Sequence, residues 1–137
     1  DPPVRALSDA RGRVTVRTRP GAWLDAEAMH EAWGRGFLRF YAYYEPQGEP
    51  DRVVLNEPVG GTNPDAMLDM LAEWGVVAAA DGRAIVIDRA RDRTPAAGVG
   101  FRRLDRLLWA RETSPQRLNV GVRRDGDLLT FDLTREP

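Results

Sequence analysis

Two Asp-Gly pairs, Asp81-Gly82 and Asp125-Gly126, constrain this chain more than any other feature, because each sits between two apolar runs of strand length. Asp-Gly tolerates the positive backbone torsions that a two-residue hairpin demands. Val76 to Ala80 and Ala84 to Asp88 flank the first pair, and Leu118 to Arg123 and Leu128 to Leu133 flank the second. Arg106 to Ala110 reads as a further strand between the two hairpins. The stretch from Trp74 to Leu133 is therefore expected to be one compact β-rich module.

A helix is expected immediately before it, over Asp65 to Trp74. Asn63 suits the N-cap, Pro64 the first helical position and Gly75 the stop. Met67, Leu68, Met70, Leu71 and Trp74 fall on one face, and Asp65, Asp69 and Glu73 on the other. Three acids on one helical face are an ordinary solvated face rather than a cation site.

The front of the chain is less regular. Residues 1–12 form a lead-in, and Arg13 to Arg19 alternates strictly, as a strand with one wet face does. Pro20-Gly21 breaks it, and a helix is expected from about Asp25 to Trp33, ending near Gly34. Phe37 to Tyr44 reads as a strand, Glu45 to Asp51 as a loop, Arg52 to Asn56 as a short strand and Pro58 to Gly61 as a loop. Two segments follow, an N-terminal αβ segment over 1–63 and a β-rich domain over 64–137, short enough to share one core.

Composition removes several chemistries. All twenty basic residues are Arg, so a phosphate loop that needs Lys and Schiff-base catalysis are both excluded. There is no Cys and one His, which excludes disulfides, thiol nucleophiles and Cys- or His-rich metal sites. The two serines, Ser8 and Ser114, lie in no nucleophile elbow. No apolar run approaches the roughly 18 residues that span a bilayer. The chain starts at Asp1, without Met or a signal-type segment, as a processed protein or a piece of a longer one would.

The order of parts from Trp74 onward resembles a bacterial PDZ domain. Trp74-Gly75-Val76 is similar to that family's apolar-Gly-apolar loop, whose amides receive a peptide's end carboxylate. Val76 to Ala80 is then similar to the strand that pairs with the peptide, Thr94-Pro95-Ala96-Ala97-Gly98 to a short helix, and Arg123 to Leu128 to the final hairpin. Two departures stand out. Leu104 occupies the place of the glycine in the family's Gly-Asp turn, and Glu112 to Arg117, interrupted by Pro115, is too short for the second helix that walls the groove. The resemblance implies a non-catalytic module that binds a polypeptide by β-strand addition. Trp74, Gly75, Val76, Val77 and Ala78 are its peptide-binding residues. It also implies an accessory role beside a protease or an envelope or secretion assembly, in the periplasm or outside the cell.

Seven of the eleven aromatics lie between Trp23 and Tyr44, and core packing is their expected use over an exposed ligand face. His30, near Glu27 and Glu31, is expected to be an ordinary surface histidine. Charge is uneven: Asp25 to Ala80 carries three Arg and ten acids, whereas Asp81 to Arg124 carries eleven Arg and five acids. That basic block raises a competing reading, a nucleic-acid-binding winged helix made of the Asp65–Trp74 helix and the hairpin after it. Interleaved acids weigh against nucleic acid, and a purely structural subunit-interaction domain is the third reading. The expected class is α+β: a small PDZ-like β-sandwich or partial barrel in the second half, with the N-terminal αβ segment packed on it. No cofactor or metal is expected.

Overall fold

The computed structural model describes residues 4–45, 48 and 50–137. The lead-in over residues 1–12 and the loop from Glu45 to Asp51 therefore lie in part outside the described residues. The architecture is mostly β with one helix, as an α+β chain. Its elements in order are β1 (Trp23–His30), β2 (Gly34–Tyr41), α1 (Pro64–Glu73), β3 (Val76–Asp81), β4 (Ala84–Ala90), β5 (Arg106–Ser114), β6 (Arg117–Arg124) and β7 (Asp127–Thr134). β1 and β2 make a two-stranded sheet, and β3 to β7 make a five-stranded antiparallel sheet in which each strand pairs with the next.

Two compact units divide the chain, and neither is a continuous segment. One comprises 1–26 and 38–52, the other 27–37 and 53–137. The turn end of the β1–β2 hairpin thus belongs with the five-stranded sheet, as does 53–63.

In the larger unit the core lies between α1 and one face of the sheet. Leu71 and Trp74 from the helix region meet Val76, Ile85, Ile87, Leu107, Leu118, Val120, Val122 and Leu133 from the strands. The helix forms where local signals agree. Asn63 Oδ1 accepts from the Ala66 amide at 3.3 Å, Pro64 occupies the first turn, and Gly75 leaves it at φ +91°. Both Asp-Gly turns form, with Asp125 and Gly126 both at positive φ. The opposite face of the sheet carries Trp109, which lies over Gly121; a Cβ at Gly121 would collide with the indole ring. Trp109 Nε1 donates to Asn119 Oδ1 at 2.7 Å.

Four sequence expectations are corrected. The segment from Asp25 to Trp33 is not a helix: most of it is β1, followed by a turn and Gly34 at φ +95°. The run Asp25-Ala26-Glu27-Ala28-Met29 favours a helix by propensity, but tertiary pairing outweighs tenths of a kcal/mol per residue. Glu27 bonds Arg111 of β5, and Glu31 lies 3.0 Å from Arg123 of β6. The segment Arg13 to Arg19 joins no sheet, and Val14 and Val16 stay 53% and 48% exposed. Alternation specifies a face only when a neighbouring strand is present to bury it. Arg52 to Asn56 is likewise no strand. Just past it Glu57 makes an isolated bridge with Arg35 of β2, the Arg35 amide donating to the Glu57 carbonyl at 2.6 Å. Residues 94–98 form turns rather than a short helix.

The expectation that the front aromatics pack a core also fails. In the smaller unit, Trp23, Tyr43 and Tyr44 are 62%, 60% and 78% exposed. Trp23 meets Tyr41 edge-on at 5.4 Å, and Tyr41 meets Tyr43 at 5.2 Å. In the larger unit, Trp33 and Phe37 are exposed too, and Trp33 stacks on His30 at 4.6 Å. A two-stranded hairpin has one partner strand, so an aromatic face on it is buried only if something else covers it.

A winged helix requires a helix pair ahead of Asp65. Among the described residues α1 is the sole helix, and the segment where that pair would stand is strand, turn and extended chain. No helix among the described residues is long and apolar enough to cross a membrane.

Candidate functional site

β3 is a terminal strand of the five-stranded sheet, hydrogen-bonded to β4 on one side alone among the described residues. Its start is core: Val76 is 1% exposed. Its end, Ala79 to Asp81, is exposed. The pairing with β4 is Val77 to Arg89 and then Ala78 to Ile87, so Asp88 is left over as a bulge. Bulges re-aim side chains and often mark the point where pairing ends. Beside the Asp88 bulge lies a shallow surface cleft of about 300 Å³ lined by Val77, Ala78, Ala79, Val86, Ile87, Asp88, Arg103 and Leu104. Its Asp88 carboxylate stands 3.6 Å from Arg103 and 3.8 Å from Arg89.

The far wall of the cleft is a turn over Arg102 to Asp105, and it is held by a buried ion pair. Asp105 is 1% exposed. Its carboxylate accepts from Arg124 Nε at 2.8 Å, from Arg124 Nη2 at 2.7 Å and from the Arg102 amide at 2.9 Å. The same guanidinium donates to the Gly100 carbonyl at 2.8 Å and sits 5.9 Å from the Phe131 ring. Burial by itself raises the Asp105 pKa, but the bidentate bond from Arg124 and the Arg102 amide outweigh it, and the carboxyl is held below its ordinary value. The bond to Asp105 holds the Arg124 guanidinium above its own.

The turn is locked to the sheet as well. The Leu104 amide donates to the Ile87 carbonyl, and the Ile87 amide donates to the Asp105 carbonyl, both at 2.8 Å. These bonds place Leu104 at φ +73°, in the left-handed region, with 70% of its surface exposed. A bulky L-residue there carries about 1–2 kcal/mol of backbone strain that glycine would not. Leu104 thus departs from the Gly-Asp pattern in residue type while adopting the torsion for which glycine is normally required.

The five residues singled out from sequence divide into two groups. Trp74 is fully buried: its indole N–H donates to Glu112 at 3.2 Å, and the Arg135 guanidinium stacks on the ring at 4.0 Å. The Trp74 and Gly75 amides donate to the Leu71 and Ala72 carbonyls of the helix end. Their own carbonyls accept from Ala96 and Arg91. Those two amides of the nest expected at Trp74–Val77 are therefore engaged by the helix end. Val76 is core. Val77 and Ala78 do line the cleft, joined by Ala79, Val86, Asp88, Arg103 and Leu104. Sequence spacing could have found Leu104 through its place before Asp105. The bulge at Asp88 has no sequence signal.

The helix that would wall a groove between β5 and β6 is absent: Pro115-Gln116 turns one strand directly into the other. The groove therefore lacks that wall. No group of three or more His, Asp or Glu among the described residues could hold a metal ion. Comparisons with protein-family models, with curated proteins and with solved structures each find no match to this chain.

Proposed function

We propose that the chain is a non-catalytic module that binds an extended polypeptide, added as a sixth strand beside Val77–Asp81 of β3. The observation that carries this reading is the terminal place of β3 in the sheet, with Ala79 to Asp81 exposed beside a cleft. An unpaired edge presents alternate amides and carbonyls that a guest backbone satisfies. Ala78, Ala79 and Ala80 keep that edge free of bulk, and Asp81 is its sole charged residue. The order of strands that resembles a PDZ domain supports the same mode. Because the helix end consumes the Trp74 and Gly75 amides, recognition rests on an internal extended segment rather than on a free carboxylate. The resemblance further proposes an accessory role beside a protease or an envelope or secretion assembly, in the periplasm or outside the cell.

Peptide display on the full chain, followed by amide hydrogen exchange with a selected peptide, tests this. Protection is expected at Val77 to Asp81, and Ala79→Lys, an exposed gatekeeper substitution, is expected to abolish binding while the protein stays folded. Protection confined to other strands, or undiminished binding by Ala79→Lys, would refute the proposal. Steeply salt-dependent binding of DNA or RNA would favour a nucleic-acid partner instead.

A further inference from the structure

We propose that β7 is a self-association edge: two copies of the chain pair it with itself, antiparallel, about a two-fold axis at Phe131. β7 ends the five-stranded sheet on the side opposite β3. Its ladder with β6 runs unbroken from Asp127 to Thr134, with no bulge and no proline. Arg124 and Asp127 flank a two-residue turn, which makes them a hydrogen-bonded pair. Odd-numbered residues of β7 therefore bond β6, and the Arg135 amide continues the pattern to the Gln116 carbonyl at 3.0 Å. Leu128, Thr130, Asp132 and Thr134 turn their amides and carbonyls to the open side. None of these groups has a backbone partner there among the described residues. A long, unblunted edge of this kind is a template for another strand.

The order of side chains makes the occupant a second copy. With the axis at Phe131, hydrogen-bonded pairs join Thr130 to Asp132 and Leu128 to Thr134 of the other copy, about eight bonds in all. On that face the Thr130 hydroxyl meets Asp132, whose Oδ1 already accepts from Asn119 Nδ2 at 2.8 Å, leaving Oδ2 for the newcomer. On the core face the half-buried Phe131 meets its own copy, Leu129 meets Leu133, and Asp127 meets Arg135. Neither Asp127 nor Arg135 has an ion-pair partner among the described residues of its own chain. Arg135 stacks on Trp74 at 4.0 Å and bonds the Pro115 carbonyl through Nε, so its terminal nitrogens remain for Asp127 of the other copy. The two-fold thus unites opposite charges that one chain holds apart at the two ends of a strand. Neighbouring registers lose this match. An axis at Thr130 sets Asp127 against Leu133 and Leu128 against Asp132, and an axis at Asp132 sets that carboxylate against itself. Both β3 edges stay open in the dimer, because β3 lies at the other end of the sheet.

Sedimentation equilibrium of the full chain tests this; a one-strand interface is small, and a Kd on the order of 10–100 µM is expected. Amide exchange in concentrated protein should protect Leu128, Thr130, Asp132 and Thr134 relative to dilute protein. Thr130→Pro removes an outward amide without touching the β6 ladder, so it should stay folded by circular dichroism and remain monomeric. Asp127→Arg and Arg135→Asp set like charges opposite each other, and each alone should weaken association about tenfold. Mixed in equal amounts, the two variants should associate as the wild type does, because the mixed pair matches at both ends. A wild type still monomeric at about 500 µM, or dimers that survive Thr130→Pro, would overturn the proposal. An unchanged Kd in Asp127→Arg, or a mixture that regains no affinity, would overturn the Phe131 register.

Discussion

Asp105→Asn is the substitution whose consequences follow most directly from the structure. The carboxylate accepts three charge-assisted or backbone bonds and is almost wholly out of water. Asn keeps the shape but has one oxygen, so its amide group would oppose either Arg124 or the Arg102 amide, donor against donor. Removing one partner of a buried pair costs about 3–5 kcal/mol. Arg124 offsets part of this, since its side chain is 18% exposed and keeps its bond to Gly100. A loss of about 2–4 kcal/mol at pH 7 is therefore expected, a downward shift of about 1–3 M in urea midpoint for ordinary slopes. The sign of the pH effect follows from the lowered carboxyl. The native group holds its proton less tightly than the unfolded one. Its stabilisation is therefore complete above the ordinary value near 4 and is lost as pH falls through the lower native value. Urea denaturation followed by Trp fluorescence at pH 7, 5, 3.5 and 2.5 measures this. The gap between wild type and Asp105→Asn should be widest at pH 7 and 5 and should narrow below 4. A gap below about 1 kcal/mol at pH 7, or one constant down to pH 2.5, would refute the account of Asp105 as a buried ionised clamp.

Three further outcomes are expected. Gly75→Ala should cost about 2–4 kcal/mol in urea denaturation, because φ is +91° and a Cβ would strike Thr94; an unchanged midpoint would count against that contact. Gly121→Ala should cost about 1–3 kcal/mol and redshift Trp emission, since Trp109 must leave its place over the backbone; an unchanged spectrum would count against that packing. Trp23→Ser should change stability by less than about 0.5 kcal/mol, because the ring is largely exposed in the smaller unit; a large loss would restore the front aromatics to a core.

The sequence by itself determined the elements whose signals are local. Asn63, Pro64 and Gly75 bracket α1, the two Asp-Gly pairs turn hairpins, and the strands flanking those pairs, β3, β4, β6 and β7, stand within two residues of their expected bounds, whereas β5 runs on four residues past Ala110 to Ser114. Val77 and Ala78 were legible as edge residues for the same reason, since their strand follows a helix stop and precedes a tight turn. What depends on partners far along the chain was not legible. Asp25 to Trp33 has helical propensity and became a strand because β2, Arg111 and Arg123 were there to pair it. Arg13 to Arg19 alternates like a strand and joins no sheet among the described residues. The Asp88 bulge, the Asp105–Arg124 clamp and the left-handed Leu104 arise only when β4, the 102–105 turn and β6 meet. Local torsional preferences act over a few residues and can be read in order. Edge exposure, burial of a charge and tolerated strain are properties of neighbours in space, and the tertiary structure alone assigns those.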